Sequence, residues 1–120
     1  MANRIVWCDI PVLDLDRAVK FYSSVLGQEV KKHEFPGMTI GVLPHGDGDA
    51  GGCLLTDPDQ KPSSQGVMIY LNVDGRLDEA IGAVSAHGGK IIEAKHEIAP
   101  FGFRAIVHDS EGNRIALHSE

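Results

Sequence analysis

The sequence predicts an α+β domain in which one βαβββ module occurs twice, and three observations carry that prediction. An offset of 61 residues lays Val6, Ile10 and Val12 on Val67, Leu71 and Val73, and lays Gly27 on Gly88 and Val30 on Ile91. Each half runs in the same order through a β-branched stretch, a stripe with helical spacing, a glycine and three short apolar runs. Between the halves lies Asp57-Pro58-Asp59-Gln60-Lys61-Pro62-Ser63-Ser64, whose polar, proline-containing composition is that of a linker. The expected organisation is one domain over residues 1–120, with module 1–57 joined to module 66–120.

Residues 5–12 are rich in β-branched side chains and read as a strand. A helix follows, with Asp14 as N-cap and Leu15, Val19, Tyr22 and Leu26 along one face. Gly27 ends it, because glycine reaches the left-handed conformation without a Cβ penalty. Strands are expected near 29–35, 38–43 and 52–55, with the Gly/Asp-rich loop 44–51 before the last. In the second half 67–73 is the strand, and Leu77, Ala80, Ile81 and Val84 form the helical stripe that Gly88-Gly89 closes. Strands near 90–95, 102–108 and 114–118 complete the module, the last two joined by the tight turn Asp109-Ser110-Glu111-Gly112-Asn113.

At 120 residues the chain suffices for one ordinary core. Its 42% apolar and 23% charged composition is that of a globular protein, and a net charge of -6 argues against nucleic-acid binding, which needs cations against phosphates. The opening Met1-Ala2-Asn3-Arg4 lacks the pattern of a signal peptide, and no run approaches the length of a membrane helix. Cys8 and Cys53 are too few for a disulfide framework, so reduced thiols and a cytoplasmic location are expected.

The strand, helix and helix stop Ile10-Pro11-Val12-Leu13-Asp14-Leu15-Asp16-Arg17-Ala18, Phe21-Tyr22 and Leu26-Gly27, with the closing Asp109-Ser110-Glu111-Gly112-Asn113-Arg114-Ile115, resemble the vicinal oxygen chelate superfamily of glyoxalases, bleomycin resistance proteins and dioxygenases. Ser110 stands where that family usually has proline. The resemblance spans nearly the whole chain and implies a curved mixed sheet, a cup, with helices on its outside. It also implies four metal ligands, His or Gln, Glu, His and Glu, facing one another across the cup. Matched by motif, these positions are Trp7, Met68 and Ala116, with Cys53 as the fourth and Gly52 or Leu54 as register alternatives. Trp and Ala offer no donor and Met a soft thioether, whereas catalytic zinc needs about three protein ligands. No metal and no other cofactor is therefore expected at the family's usual place.

Strand alternation identifies what shares the cavity. Trp7, Asp9 and Pro11 fall on one face, as do Met68, Tyr70 and Asn72, and Ala116 and His118. The expected ligand-binding residues are Trp7, Asp9, Cys53, Met68, Tyr70, Asn72, Phe101, Arg104 and His118. Each has a structural alternative. Trp7 and Met68 would equally fill the cup as core. Asp9 is a general-base candidate or an ion-pair partner of Arg4 or Arg104. Tyr70 and Asn72 bind a ligand or satisfy one another. Loop 99–104 closes over a ligand with Arg104 grasping an anion, or its phenylalanines join the core. The six histidines form no H-x-x-x-H pair, which leaves only a remote site of His108 or His118 with Cys53.

Three functions fit these residues. The first is a metal-free protein that holds a small, partly aromatic molecule in the cup, a cationic one if the pocket is net acidic, as the resemblance to resistance proteins implies, with homodimerisation as a companion expectation. The second is a glyoxalase-type lyase, isomerase or dioxygenase, metal-free or with an atypical metal. The third is an interaction module whose cup is solid.

Overall fold

A computed structural model describes residues 3–120; Met1 and Ala2, which belong to the reading of the N-terminus, lie outside the described residues. The first module comprises β1 (Trp7–Pro11), α1 (Leu15–Leu26), β2 (Lys31–Phe35), β3 (Met38–Val42) and β4 (Gly51–Leu55). The second comprises β5 (Ile69–Asn72), α2 (Leu77–Ala86), β6 (Lys90–Glu97), β7 (Phe103–His108) and β8 (Arg114–Ser119). Each forms a four-stranded sheet, in the orders β1-β4-β3-β2 and β5-β8-β7-β6, with the first pair parallel and the rest antiparallel. The repeated βαβββ architecture is thus as the sequence predicts. Among the described residues no helix is long and apolar enough to cross a membrane.

The two opening strands are shorter than expected. Ile5, Val6 and Val67 flank them and are exposed, because β4 and β8 provide ladder partners only from Gly51 and Ile115 onward. Conversely β6 runs on to Glu97, opposite Phe103, through two register irregularities.

Helix α1 begins where Asp14 Oδ1 accepts the Arg17 N–H at 3.1 Å and ends at Gly27, whose φ of 72° is left-handed. Its deepest face coincides with the predicted stripe only at Tyr22. Ala18, Phe21, Tyr22 and Val25 are fully buried, whereas Leu15, Val19 and Leu26 are only partly so. The reason is that α1 has two neighbours. Leu15 and Val19 pack over Gly41 of its own sheet, while the deeper face turns toward α2 and the second module. In α2 the stripe is as expected, with Leu77, Ala80 and Val84 buried and Ile81 packed against them. One continuous apolar cluster joins both modules.

The second module grips α1 at both ends. At the N-terminus the buried Glu111 carboxylate accepts the Leu13 and Asp14 N–H groups, each at 2.9 Å, and pairs with Arg17 at 2.7 and 2.9 Å. At the C-terminus Arg76 Nη1 donates to the Val25 carbonyl at 2.5 Å. An anion thus meets the positive end of the helix and a cation its negative end. Gly27 is needed here twice, since a Cβ would also lie 2.7 Å from the Arg76 guanidinium. The turn holding Glu111 is itself rigid. Asp109 accepts the Glu111 and Asn113 N–H groups and the Tyr22 hydroxyl at 2.5 Å, and Asn113 Nδ2 reaches back to the Pro11 carbonyl.

Candidate ligand groove

Strands β1 and β5 are each the outer strand of their sheet, bonded on one side only, to β4 and β8. Both border an open groove of about 1480 Å³, which Trp7, Asp9, His45, Met68, Tyr70 and Asn72 help to line. Trp7 is 43% and Tyr70 45% exposed, so neither is core, and the cup is not filled by its own side chains.

Cross-strand register fixes what faces the groove side of each sheet. Asp9 lies opposite Cys53, and Tyr70, its equivalent at the internal offset of 61, lies opposite Ala116. Cys53 and Ala116 therefore occupy equivalent places in the two sheets. Gly52 lies beside Cys8 and Leu43 and Leu54 opposite Ile10; Gly52, Cys8, Leu43 and Ile10 also border the groove, whereas the Cys53 side chain does not line it. The set that the resemblance implies is Trp7, Met68 and Ala116, with Cys53 as the residue whose register matches Ala116.

This donor set does not suit a divalent ion. Ala116 is buried and has no donor. Cys53 is also buried, and its thiol donates to Asp9 Oδ1 at 3.4 Å. Burial and then that carboxylate push the Cys53 thiol up to about 11, so it is a neutral thiol at neutral pH. Among the described residues no three His, Cys, Asp or Glu side chains converge, and the hydrogen bonds of His118 and Cys53 go to the Phe101 carbonyl and to Asp9 respectively. Both cysteines are free thiols.

Two polar clusters flank the groove instead. In the first module Asp9 Oδ1 also accepts the Trp7 Nε1–H at 3.0 Å, and His45 meets the Trp7 ring edge-on at 6.1 Å. The expected ion pair of Asp9 with Arg4 or Arg104 is not formed; the tryptophan and the thiol take that oxygen instead. In the second module Asn72, His118, Arg104 and His96 lie opposite one another across four strands. Arg104 Nη1 donates to the Tyr70 hydroxyl and Nε donates to His96 Nε2 at 3.0 Å. His118 Nε2 bonds the Phe101 carbonyl. Tyr70 and Asn72 do not satisfy one another, because Asn72 Oδ1 accepts the Asp74 N–H within its own turn.

The phenylalanines of loop 99–104 do not join the core. Phe101 is 70% exposed, and Phe103 carries Lys95 over its ring at 5.7 Å. The backbone explains this: the Ile98 N–H donates to the Gly102 carbonyl, closing a hairpin whose tip projects beyond the sheet. Nor is the groove net acidic, since Asp9 and Asp49 on its walls are matched by Lys61 and Arg114. Sequence reasoning missed His96 and His45. A signal existed for the first, because counting outward from the turn at Ile98 and Gly102 sets 96 against 104.

Paired βαβββ modules with parallel outer strands bordering one groove define the class of cup-shaped proteins that the sequence resembles. The chain belongs to the Glyoxalase/Bleomycin resistance protein/Dioxygenase superfamily, whose family model matches residues 4–117. It is 32% identical to a "Glyoxylase-like domain-containing protein" of Didymella fabae, over 96% of this chain and 92% of that protein. It is 28% identical to the "Putative glyoxylase CFP32" of Mycobacterium bovis, over 90% of this chain but only 41% of that protein. Among solved structures, a glyoxalase/bleomycin resistance protein from Albidiferax ferrireducens superposes with a TM-score of 0.78 at 16% identity, covering 98% of this chain and 99% of that one. At that identity the likeness concerns the fold alone.

Proposed function

We propose that this chain binds a small molecule in the groove between β1 and β5 without a metal ion. The observation that carries the proposal is the pair of half-exposed aromatic walls, Trp7 and Tyr70, on an open groove; the donor-poor residues at the positions where the resemblance implies ligands support the absence of a metal. Apolar concavities with few polar anchors are the usual form of small-molecule sites. Trp7, Met68 and Tyr70 supply contact area and Asp9 and Asn72 polar anchors; Phe101, Arg104 and His118 lie outside the groove lining, Arg104 reaching it through its bond to the Tyr70 hydroxyl. Cys53 acts through Asp9, orienting the carboxylate rather than reacting. The mixed charge of the walls removes the reason to expect a cationic ligand. A second copy covering the exposed Phe35, Met38 and Phe101 is the accompanying proposal for assembly.

Trp7 is the chain's single tryptophan, so its emission reports directly on the groove. A compound library screened by thermal shift and by Trp7 fluorescence tests the proposal. A true ligand at a hundred times its Kd adds about 2.7 kcal/mol of stability. Trp7→Ala abolishes its binding without unfolding the protein. A screen in which no compound both stabilises the fold and changes Trp7 emission sinks the reading. Stoichiometric metal by elemental analysis, with loss of ligand response on chelation, favours a metalloenzyme instead.

A further inference from the structure

Arg104 differs from the paired cations of this chain in having only neutral partners. The ion pairs among the described residues are Arg17–Glu111, Lys32–Asp16 and Lys95–Asp78, and Arg104 is in none of them. Glu93, which lies opposite Ile106 in the adjacent row of β6, is not in ion-pair contact with it either. Its bonds go to the Tyr70 hydroxyl and to His96 Nε2.

The chemistry of those two partners defines what remains free. His96 Nε2 accepts the Arg104 Nε–H, so its proton sits on Nδ1, which faces the Ala94 carbonyl at 2.9 Å. His96 is therefore a neutral acceptor and leaves the guanidinium charge unbalanced. The Tyr70 hydroxyl accepts from Nη1, so its own proton is available to donate. Arg104 Nη2 has no protein partner among the described residues. The Arg104 charge also lies 5.9 Å from the Tyr70 ring centroid, which further fixes the two side chains relative to each other. A held guanidinium with free N–H groups beside a free O–H is a preorganised oxyanion clamp. Tyr70 lines the groove and Arg104 lies just outside its lining, so an anion bound to both sits at the groove's edge.

We infer that Arg104 and Tyr70 form an oxyanion subsite, taking the carboxylate or phosphate of a ligand whose apolar or aromatic body lies between Tyr70 and Trp7. The inference rests on the groove-binding proposal and names the chemical class of its ligand. His96 is a positioning residue that holds the guanidinium plane.

The experiment uses three probes, benzoate, phenyl phosphate and the neutral benzamide, read by Trp7 emission and by the Arg104 Nε and Tyr70 resonances. The anions are expected to bind at least about tenfold tighter than benzamide. Arg104→Met removes that gap while benzamide binding persists, and the milder Tyr70→Phe narrows it. The stronger of the two anions identifies the preferred oxyanion. If all three probes perturb Trp7 equally, or the gap survives Arg104→Met, the subsite is refuted while the groove reading stands. If the anions shift Arg104 Nε but leave Trp7 untouched, the anion contact at Arg104 and Tyr70 stands, while the placement of the ligand body and with it the groove reading are refuted. Absence of any response at tens of millimolar refutes both.

Discussion

Glu111→Gln tests one of the contacts by which the second module holds α1. The Glu111 side chain is fully buried against an Arg17 that remains half exposed. Burial alone pushes its carboxyl up, but the Arg17 guanidinium, the Asp14 and Leu13 N–H groups and the Ser110 hydroxyl together hold it at about 2, from 4.5. At 1.36 kcal/mol per unit, that depression corresponds to about 3 kcal/mol favouring the ionised folded state. The substituted amide carries no charge and sets an N–H donor against other donors, so the loss at pH 7 is at least of this order. For a chain of this length it lowers the Tm by roughly 10 °C. The sign with pH follows from the depressed value. The contribution is complete above the unfolded carboxyl pKa and is lost as pH falls from about 4.5 toward about 2. Urea denaturation of both proteins at pH 7 and across that acid range is the assay. The difference should be largest at pH 7 and shrink as the wild type is acidified. A loss under about 1 kcal/mol at pH 7, or parallel pH profiles, would rule out this account of the helix end.

Tyr22→Phe removes the hydroxyl that donates to Asp109 in a fully buried setting and should cost about 1–3 kcal/mol in chemical denaturation; a neutral result would mean the Asp109 turn holds without it. Gly27→Ala combines a left-handed φ with a Cβ 2.7 Å from Arg76, and should cost more than the roughly 1 kcal/mol of a simple left-handed alanine. Melting of the double variant Gly27→Ala/Arg76→Ala checks this, because the excess should shrink when the guanidinium is gone. Cys53, with its thiol pushed up to about 11, should resist a disulfide reagent at pH 7 in the native protein and react once unfolded. Rapid native labelling at Cys53, located by mass spectrometry, would contradict the buried hydrogen bond to Asp9.

Much of the architecture is local and therefore legible in the chain. Asp14 and Gly27 announce the ends of α1 because caps act on the nearest backbone groups. The offset of 61 announces the duplication because each module repeats the same sequence of local preferences. The candidate groove was legible only in part. Alternation assigns Trp7, Asp9, Tyr70 and Asn72 to one side of their strands, since side chains on a strand must alternate. It does not reveal which neighbouring strand they meet, so the neighbour of Asp9 waited for the β1–β4 register, and the partners of Arg104 for the β6–β7 hairpin, which brings His96, and the sheet order β5-β8-β7, which brings Tyr70.

Order along the chain was enough to specify a pair of βαβββ modules and their helix ends. How the modules join, and whether the cup is open, emerged from the folded arrangement. Glu111 lies 94 residues from Arg17, and a turn motif carries no indication of the helix end it will satisfy. Equally, the exposure of Trp7 and Phe101 depends on what the other module leaves uncovered. Helix caps and strand alternation depend on neighbours along the chain, whereas burial and charge pairing depend on residues that meet only once the chain has folded.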